Sequence, residues 1–128
     1  MVDDASVRGA AVRVGAIDCG TNSIRLLIAD VLPGRPLVDV VREMRIVRLG
    51  EGVDRTGEFS AAALKRTFAA CDAYAALLAA HPVASLRFVA TSASRDVSNR
   101  EAFIAGVRER LGVEPEVIAG TEIGRAHV

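Results

Sequence analysis

Val12-Arg13-Val14-Gly15-Ala16-Ile17-Asp18-Cys19-Gly20-Thr21-Asn22-Ser23-Ile24-Arg25-Leu26-Leu27-Ile28-Ala29-Asp30-Val31 is the stretch that decides the fold. Val12 to Cys19 is a short, apolar, β-rich run. Gly20-Thr21-Asn22 is a turn signal, and Ser23 to Val31 is a second β-rich run. Pro33-Gly34-Arg35-Pro36 marks another turn. Leu37 to Leu49 is a third run, partly alternating, with Arg42, Glu43, Arg45 and Arg48 among apolar residues. Three strands joined by short turns predict an antiparallel meander.

Beyond Leu49 the pattern changes. Leu49-Gly50-Glu51-Gly52-Val53 reads as a loop. Ser60 is a good N-cap for an Ala- and Leu-rich helix running to about Ala80, closed by His81-Pro82. Leu86 to Ala90 reads as a short buried strand and Thr91 to Val97 as a polar loop. Ser98-Asn99-Arg100-Glu101 is a capping-box signature for a second helix, which ends at Leu111 with Gly112 as its C′ residue. Glu116 to Ala119 reads as a fifth strand. The order β-β-β-α-β-α-β predicts one mixed five-stranded sheet with helices packed against it. That is the α/β layout of a ribonuclease-H-like domain, as in the actin, hexokinase and Hsp70 type.

Composition narrows the function. The 128 residues are a one-domain length, and 51 % of them are apolar. Lys+Arg and Asp+Glu balance at 16 each. A neutral chain is not a general polyanion-coating surface, so DNA is not an expected partner, and any anion must be held by a local site. Cys19 and Cys71 sit in a strand pattern and a helix pattern. They are expected as reduced core thiols of a cytoplasmic protein. No apolar run approaches a membrane span. Residues 1–11 lack the order of a signal peptide and are expected to form a disordered tail.

Three strings carry chemistry. The first is Asp18 to Arg25, at the tip of a predicted hairpin. Gly20 allows a tight turn and close backbone approach. Thr21, Asn22 and Ser23 offer side-chain donors, and consecutive N–H groups there form an anion nest. Asp18 ends the strand beside that nest. A carboxylate next to bound phosphate is a metal ligand, directly or through water, or a positioner of water, and both roles stay open. The second string, Ala90 to Arg100, follows a buried strand, where ligands of open sheets bind. Arg95 offers a planar fork suited to phosphate; Ser98 and Glu101 read as caps. The third, Ile118-Ala119-Gly120-Thr121-Glu122, also follows a strand and puts a glutamate at the rim that suits a general base.

Together these strings resemble the exopolyphosphatase / guanosine pentaphosphate phosphatase family. The family's phosphate loop reads Asp-x-Gly-Thr-Asn-Ser-x-Arg, matching Asp18 through Arg25. Its second loop reads Ala-Thr-Ser-Ala-x-Arg-Asp-x-x-Asn-Arg, matching Ala90 through Arg100. Its third string, Ile-(Ser/Ala)-Gly-x-Glu-Glu-Ala-Arg-Leu, is matched from Ile118 to Glu122. Gly50-Glu51-Gly52-Val53 resembles the family's loop after the third strand. The resemblance implies that Asn22, Ser23 and Arg95 contact phosphate, within a loop that includes Gly20 and Thr21, and that Glu122 is the catalytic base. It implies an acid-anhydride phosphohydrolase that releases terminal phosphate from inorganic polyphosphate, or the 5′ γ-phosphate from guanosine pentaphosphate, with Mg²⁺ offsetting phosphate charge. The resemblance adds a homodimer when full length to the cytoplasmic protein with no membrane partner expected from composition.

After Glu122 the family pattern breaks off, and its second domain, with a further Gly-rich phosphate loop, is absent. Ile123-Gly124-Arg125-Ala126-His127-Val128 is also what one frame of a common sequencing adapter encodes. The expected organisation is therefore a tail over 1–11, an incomplete first domain over 12–122, and a non-native tail over 123–128, which excludes His127 from any site. Alone, this half-site is expected to be inactive. Two other readings are another actin-fold phosphotransferase, such as a sugar kinase, and a non-enzymatic phosphate- or nucleotide-binding module.

Overall fold

The structure is a computed structural model that describes residues 11–91 and 96–118. Residues 1–10 of the expected 1–11 tail, Arg95, Glu122 and the segment 123–128 lie outside the described residues. The elements are β1 (Val12–Cys19), β2 (Ser23–Val31), β3 (Val38–Ile46), α1 (Val53–Thr56), α2 (Ala61–Ala80), β4 (Ser85–Ala90), α3 (Arg100–Leu111) and β5 (Glu116–Val117). They build one five-stranded sheet in the order β3-β2-β1-β4-β5. The β1–β2 and β2–β3 pairs are antiparallel, and β1–β4 and β4–β5 are parallel. The meander followed by two crossovers is the architecture that the sequence pattern predicts.

Strand alternation assigns the two faces. Ile17 and Cys19 of β1, Ile24, Leu26 and Ile28 of β2, and Phe88 and Ala90 of β4 are buried on one face. The helices α2 and α3 cover it. Ala63, Thr67, Ala70, Cys71 and Tyr74 form the buried stripe of α2, at three-, four- and seven-residue spacings that keep one helix face inward. Tyr74 Oη donates to the Ile24 carbonyl at 2.7 Å, which satisfies a buried hydroxyl and fixes α2 to β2. Phe103 of α3 meets Phe59 and Phe88 at centroid distances of 5.6 and 6.1 Å. A Cβ on Gly106 would overlap the Phe68 ring, so glycine is what lets α3 approach α2 there.

The ends of the helices partly follow expectation. Ser60 Oγ accepts from the Ala63 N–H at 3.0 Å, as an N-cap should. Gly112 caps α3 in the left-handed conformation, with φ 70°. The capping box expected at Ser98–Glu101 is not what opens α3. Asn99 occupies the N-cap and makes no side-chain cap bond. Its amide is engaged elsewhere: Oδ1 accepts from the Phe59 N–H and Nδ2 donates to the Phe59 carbonyl, both at 2.9 Å. A long-range backbone partner outcompetes the local cap. Of the expected fifth strand, Glu116 and Val117 pair with β4, Ile118 follows outside the strand, and Ala119 lies outside the described residues. One turn of helix, α1, starts at the end of the predicted Leu49–Val53 loop and lies between Gly52 and Gly57, both at positive φ.

Candidate functional site

The β1–β2 turn is three residues, Gly20 to Asn22, at the carboxyl end of β1. The Gly20 N–H donates to the Ser23 carbonyl at 2.8 Å and closes the turn. Gly20 does not have positive φ, and a Cβ there would meet only the Ser23 carbonyl oxygen, at an ordinary 3.6 Å. Gly20 is expected to allow a tight turn and close backbone approach, and the turn itself leaves room for a side chain at this position.

The tip is held from behind. The Val47 and Arg48 N–H groups both donate to the Asn22 carbonyl, and the Gly50 N–H donates to the Thr21 carbonyl, each at 2.9 Å. Gly50 lacks a side chain where a Cβ would overlap Thr21 Cγ2. On the other side, the Thr21 and Asn22 N–H groups and the Thr21, Asn22 and Ser23 side chains have no hydrogen-bond partner among the described residues. Thr21 and Asn22 are exposed and Ser23 is half-buried. Donors left unengaged on a backed turn are groups that an anion can engage.

The neighbouring strand ends converge on the same rim. Cys19 is paired with Ala90 across β1 and β4, and the Thr91 N–H donates to the Cys19 carbonyl at 3.1 Å. The Ile118 N–H donates to the Ala90 carbonyl at 2.9 Å, so the segments leading to Arg95 and to Glu122 both start beside the turn. Those two side chains themselves lie outside the described residues.

Asp18 points to the open face of the sheet. It is exposed, opposite Arg25 on β2, and makes no hydrogen bond or ion pair with another described residue. A concavity of about 520 Å³ runs from Asp18 across that face, past Arg25, Leu27, Arg42, Met44, Arg87, Val89 and Ile118. It does not include the Gly20–Ser23 turn. Among the described residues no three His, Cys, Asp or Glu side chains gather to hold a metal. A lone carboxylate beside phosphate donors nevertheless fits Mg²⁺, which keeps waters and binds through one or two carboxylates together with ligand phosphates.

The cysteine next to the turn is not a nucleophile. Burial pushes the Cys19 thiol far above its ordinary range, and burial pushes Cys71 up to about 12. Both are free and buried, and a thiol held neutral is inert.

The sequence profile of the Ppx/GppA phosphatase family matches residues 27–127. The chain belongs to the Ppx/GppA phosphatase family. It is 54 % identical over 121 residues to exopolyphosphatase 2 of Mycobacterium tuberculosis, a match covering 88 % of this chain and 38 % of that protein. A crystal structure of an exopolyphosphatase-like protein is 50 % identical, with a TM-score of 0.84, and matches 90 % of this chain and 35 % of its own. The Aquifex aeolicus Ppx/GppA family member is 33 % identical with a TM-score of 0.83, over 90 % of this chain and 37 % of its own. The chain thus spans well under half the length of these Ppx/GppA relatives.

The sequence marks the turn itself but not what backs it. Arg66 of α2 donates from Nε to the Val47 carbonyl at 2.8 Å and from Nη2 to Glu51 Oε2 at 2.8 Å. A lone arginine in an Ala-rich helix was the available signal. Nothing local marks Arg48, which has φ 51°.

Proposed function

We propose that the chain is the phosphate-binding half-site of a phosphohydrolase that removes terminal phosphate from inorganic polyphosphate. The observation that carries this reading is the backed turn at Gly20–Ser23, with its unengaged donors between β1 and β2 and beside the carboxyl end of β4. Two relatives named as exopolyphosphatase or exopolyphosphatase-like support the substrate class. In this reading Thr21, Asn22 and Ser23 hold the terminal phosphate, with Gly20 leaving room for its approach. Arg95 clamps a second oxygen edge. Glu122 takes a proton from the attacking water, whose oxygen bonds to phosphorus as the bridging oxygen of the chain departs. Mg²⁺, when bound near Asp18, offsets phosphate charge. The 5′ γ-phosphate of guanosine pentaphosphate presents the same chemistry and is the second substrate to assay.

Phosphoryl transfer depends on positioning and on charge neutralisation around the moving group. A phosphate bound to one wall faces water, which weakens each contact, and the loss of a single such contact already costs about 10²–10³ in rate. The 128-residue chain should therefore release no phosphate above background, while a chain extended to the length of its relatives should turn over polyphosphate. Phosphate release with Mg²⁺, measured side by side, decides this; equal turnover would place the whole active site in this chain. Arg95→Ala should weaken phosphate binding by about 1.5–3 kcal/mol, the scale of a charged hydrogen bond, and unchanged affinity would remove Arg95 from the site. Transfer to a sugar hydroxyl instead of water would indicate a kinase. Phosphate binding without turnover in the extended chain would indicate a non-enzymatic module.

A further inference from the structure

We propose that Arg66, which makes no hydrogen bond to the Gly20–Ser23 turn, is the positioning residue that aims the turn's amide groups. The inference rests on reading the turn as an anion site. Arg66 holds the segment after β3 at three points: the Val47 carbonyl at 2.8 Å, the Arg48 carbonyl at 3.3 Å and Glu51 Oε2 at 2.8 Å. The same segment donates three backbone hydrogen bonds to the turn, from Val47 and Arg48 to the Asn22 carbonyl and from Gly50 to the Thr21 carbonyl.

The geometry is unusual in one respect. Successive N–H groups of an extended chain point to opposite edges, yet Val47 and Arg48 donate to the same oxygen. The backbone of Val47 sets how those two N–H groups are turned; the next residue, Arg48, is left-handed at φ 51° and is the only non-glycine with positive φ among the described residues. Such a conformation is unfavourable for a residue with a side chain and persists only where its surroundings over-determine it. The Arg66 fork supplies that restraint, because the Val47 and Arg48 carbonyls it captures belong to the two peptide planes that meet at the Arg48 Cα.

The consequence reaches the turn through peptide planarity. The carbonyl and N–H of one trans peptide point in opposite directions. Anchoring the Thr21 carbonyl on Gly50 therefore aims the Asn22 N–H away from the segment. Anchoring the Asn22 carbonyl does the same for the Ser23 N–H. The Asn22 N–H is one of the unengaged donors. Each anchored carbonyl also polarises the N–H of its own peptide, which strengthens that group as a donor.

Arg66→Gln in the 128-residue chain tests this, with Arg66→Lys and Glu51→Gln as milder variants that keep the fold if Arg66→Gln does not. Two quantities are read: the amide ¹⁵N–¹H signals of Asn22 and Ser23 in the ligand-free protein, and the dissociation constant for tripolyphosphate. Arg66→Gln should shift both signals and weaken tripolyphosphate about tenfold, the worth of about one hydrogen bond. Lysine should recover part of the affinity, and Glu51→Gln should shift the same signals by less. Arg13→Gln, which breaks the Arg13–Asp30 pair elsewhere on the β1–β2 hairpin, should leave both readouts unchanged. Unmoved Asn22 and Ser23 signals in all three variants would overturn the proposal. So would tripolyphosphate affinity within twofold of wild type in Arg66→Gln, or a loss no larger than that in Arg13→Gln. Failure of the wild-type chain to bind tripolyphosphate would instead sink the anion-site reading, and the ligand-free signals would still decide whether Arg66 sets the turn.

Discussion

On one face of the sheet Ile17, Ile24, Leu26 and Phe88 are at most 1 % exposed; on the other, Met44 is 52 % exposed, and Asp18 and Arg25 lie open. The two sets alternate along the same strands, so backbone conformation and strand pairing are shared. What separates them is a second layer: α2 and α3 cover one side, and among the described residues nothing covers the other. Burial converts the first set into stability, about 1.5–3 kcal/mol for each large side chain removed from water. The second set contributes little to holding the sheet and leaves polar groups available. The turn at Gly20–Ser23 sits at the end of both faces, backed by structure and open to solvent.

The sharpest way to break this contrast is to remove a side chain that seals the covered face. Phe103 is fully buried and bridges Phe59 and Phe88. Phe103→Ala should cost about 3–5 kcal/mol, lost transfer energy plus the cavity left behind. Urea unfolding followed by circular dichroism measures it, and a cost below about 1 kcal/mol would mean that α3 does not seal the sheet as described.

The covered face also sets a pH dependence. Burial pushes Cys71 and Tyr74 up to about 12, from 9.0 and 10.0, and pushes Cys19 up further. As pH rises above 9 the unfolded chain releases these protons while the folded chain keeps them. Stability is therefore fully present below pH 9 and falls through the range up to about 12, by about 1.4 kcal/mol per pH unit for each such group. The urea midpoint should drop between pH 8 and pH 11, and Cys71→Ala should flatten the drop. A midpoint independent of pH over that range would show that these groups are not sealed from water.

The order of elements was legible because it is written locally. Period-two alternation in Ile24-Arg25-Leu26 and the caps at Ser60 and Gly112 depend only on near neighbours. The turn at Gly20–Ser23 was legible for the same reason. The sequence misled where a distant partner intervened. Asn99 gives up its cap for the Phe59 backbone 40 residues away, and α1 is a single turn that no periodicity announces. Arg66 was invisible as a positioning group because the carbonyls it holds lie 18 and 19 residues earlier and exist as targets only after β3 ends in a left-handed bend. Chain-local rules locate a turn but do not say what stands behind it.

The smallest expected effect tests the open face. Met44 stands in a row with Arg25, Asp18 and Val89 across the sheet, given by the strand register. Its side chain is half exposed, so Met44→Lys removes little buried apolar area. The new ammonium can reach water from an edge strand that already carries Arg42, Glu43 and Arg45. The change in stability should stay within about 0.5 kcal/mol, the range of surface substitutions. Urea midpoints at two protein concentrations, tenfold apart, make the measurement decisive. A small, concentration-independent change fits a face that is open in the isolated chain. A loss above 1 kcal/mol that grows with protein concentration would mean that a second copy covers Met44 in solution. The contrast between the two faces would then belong to the single chain and not to the protein as it exists at working concentration.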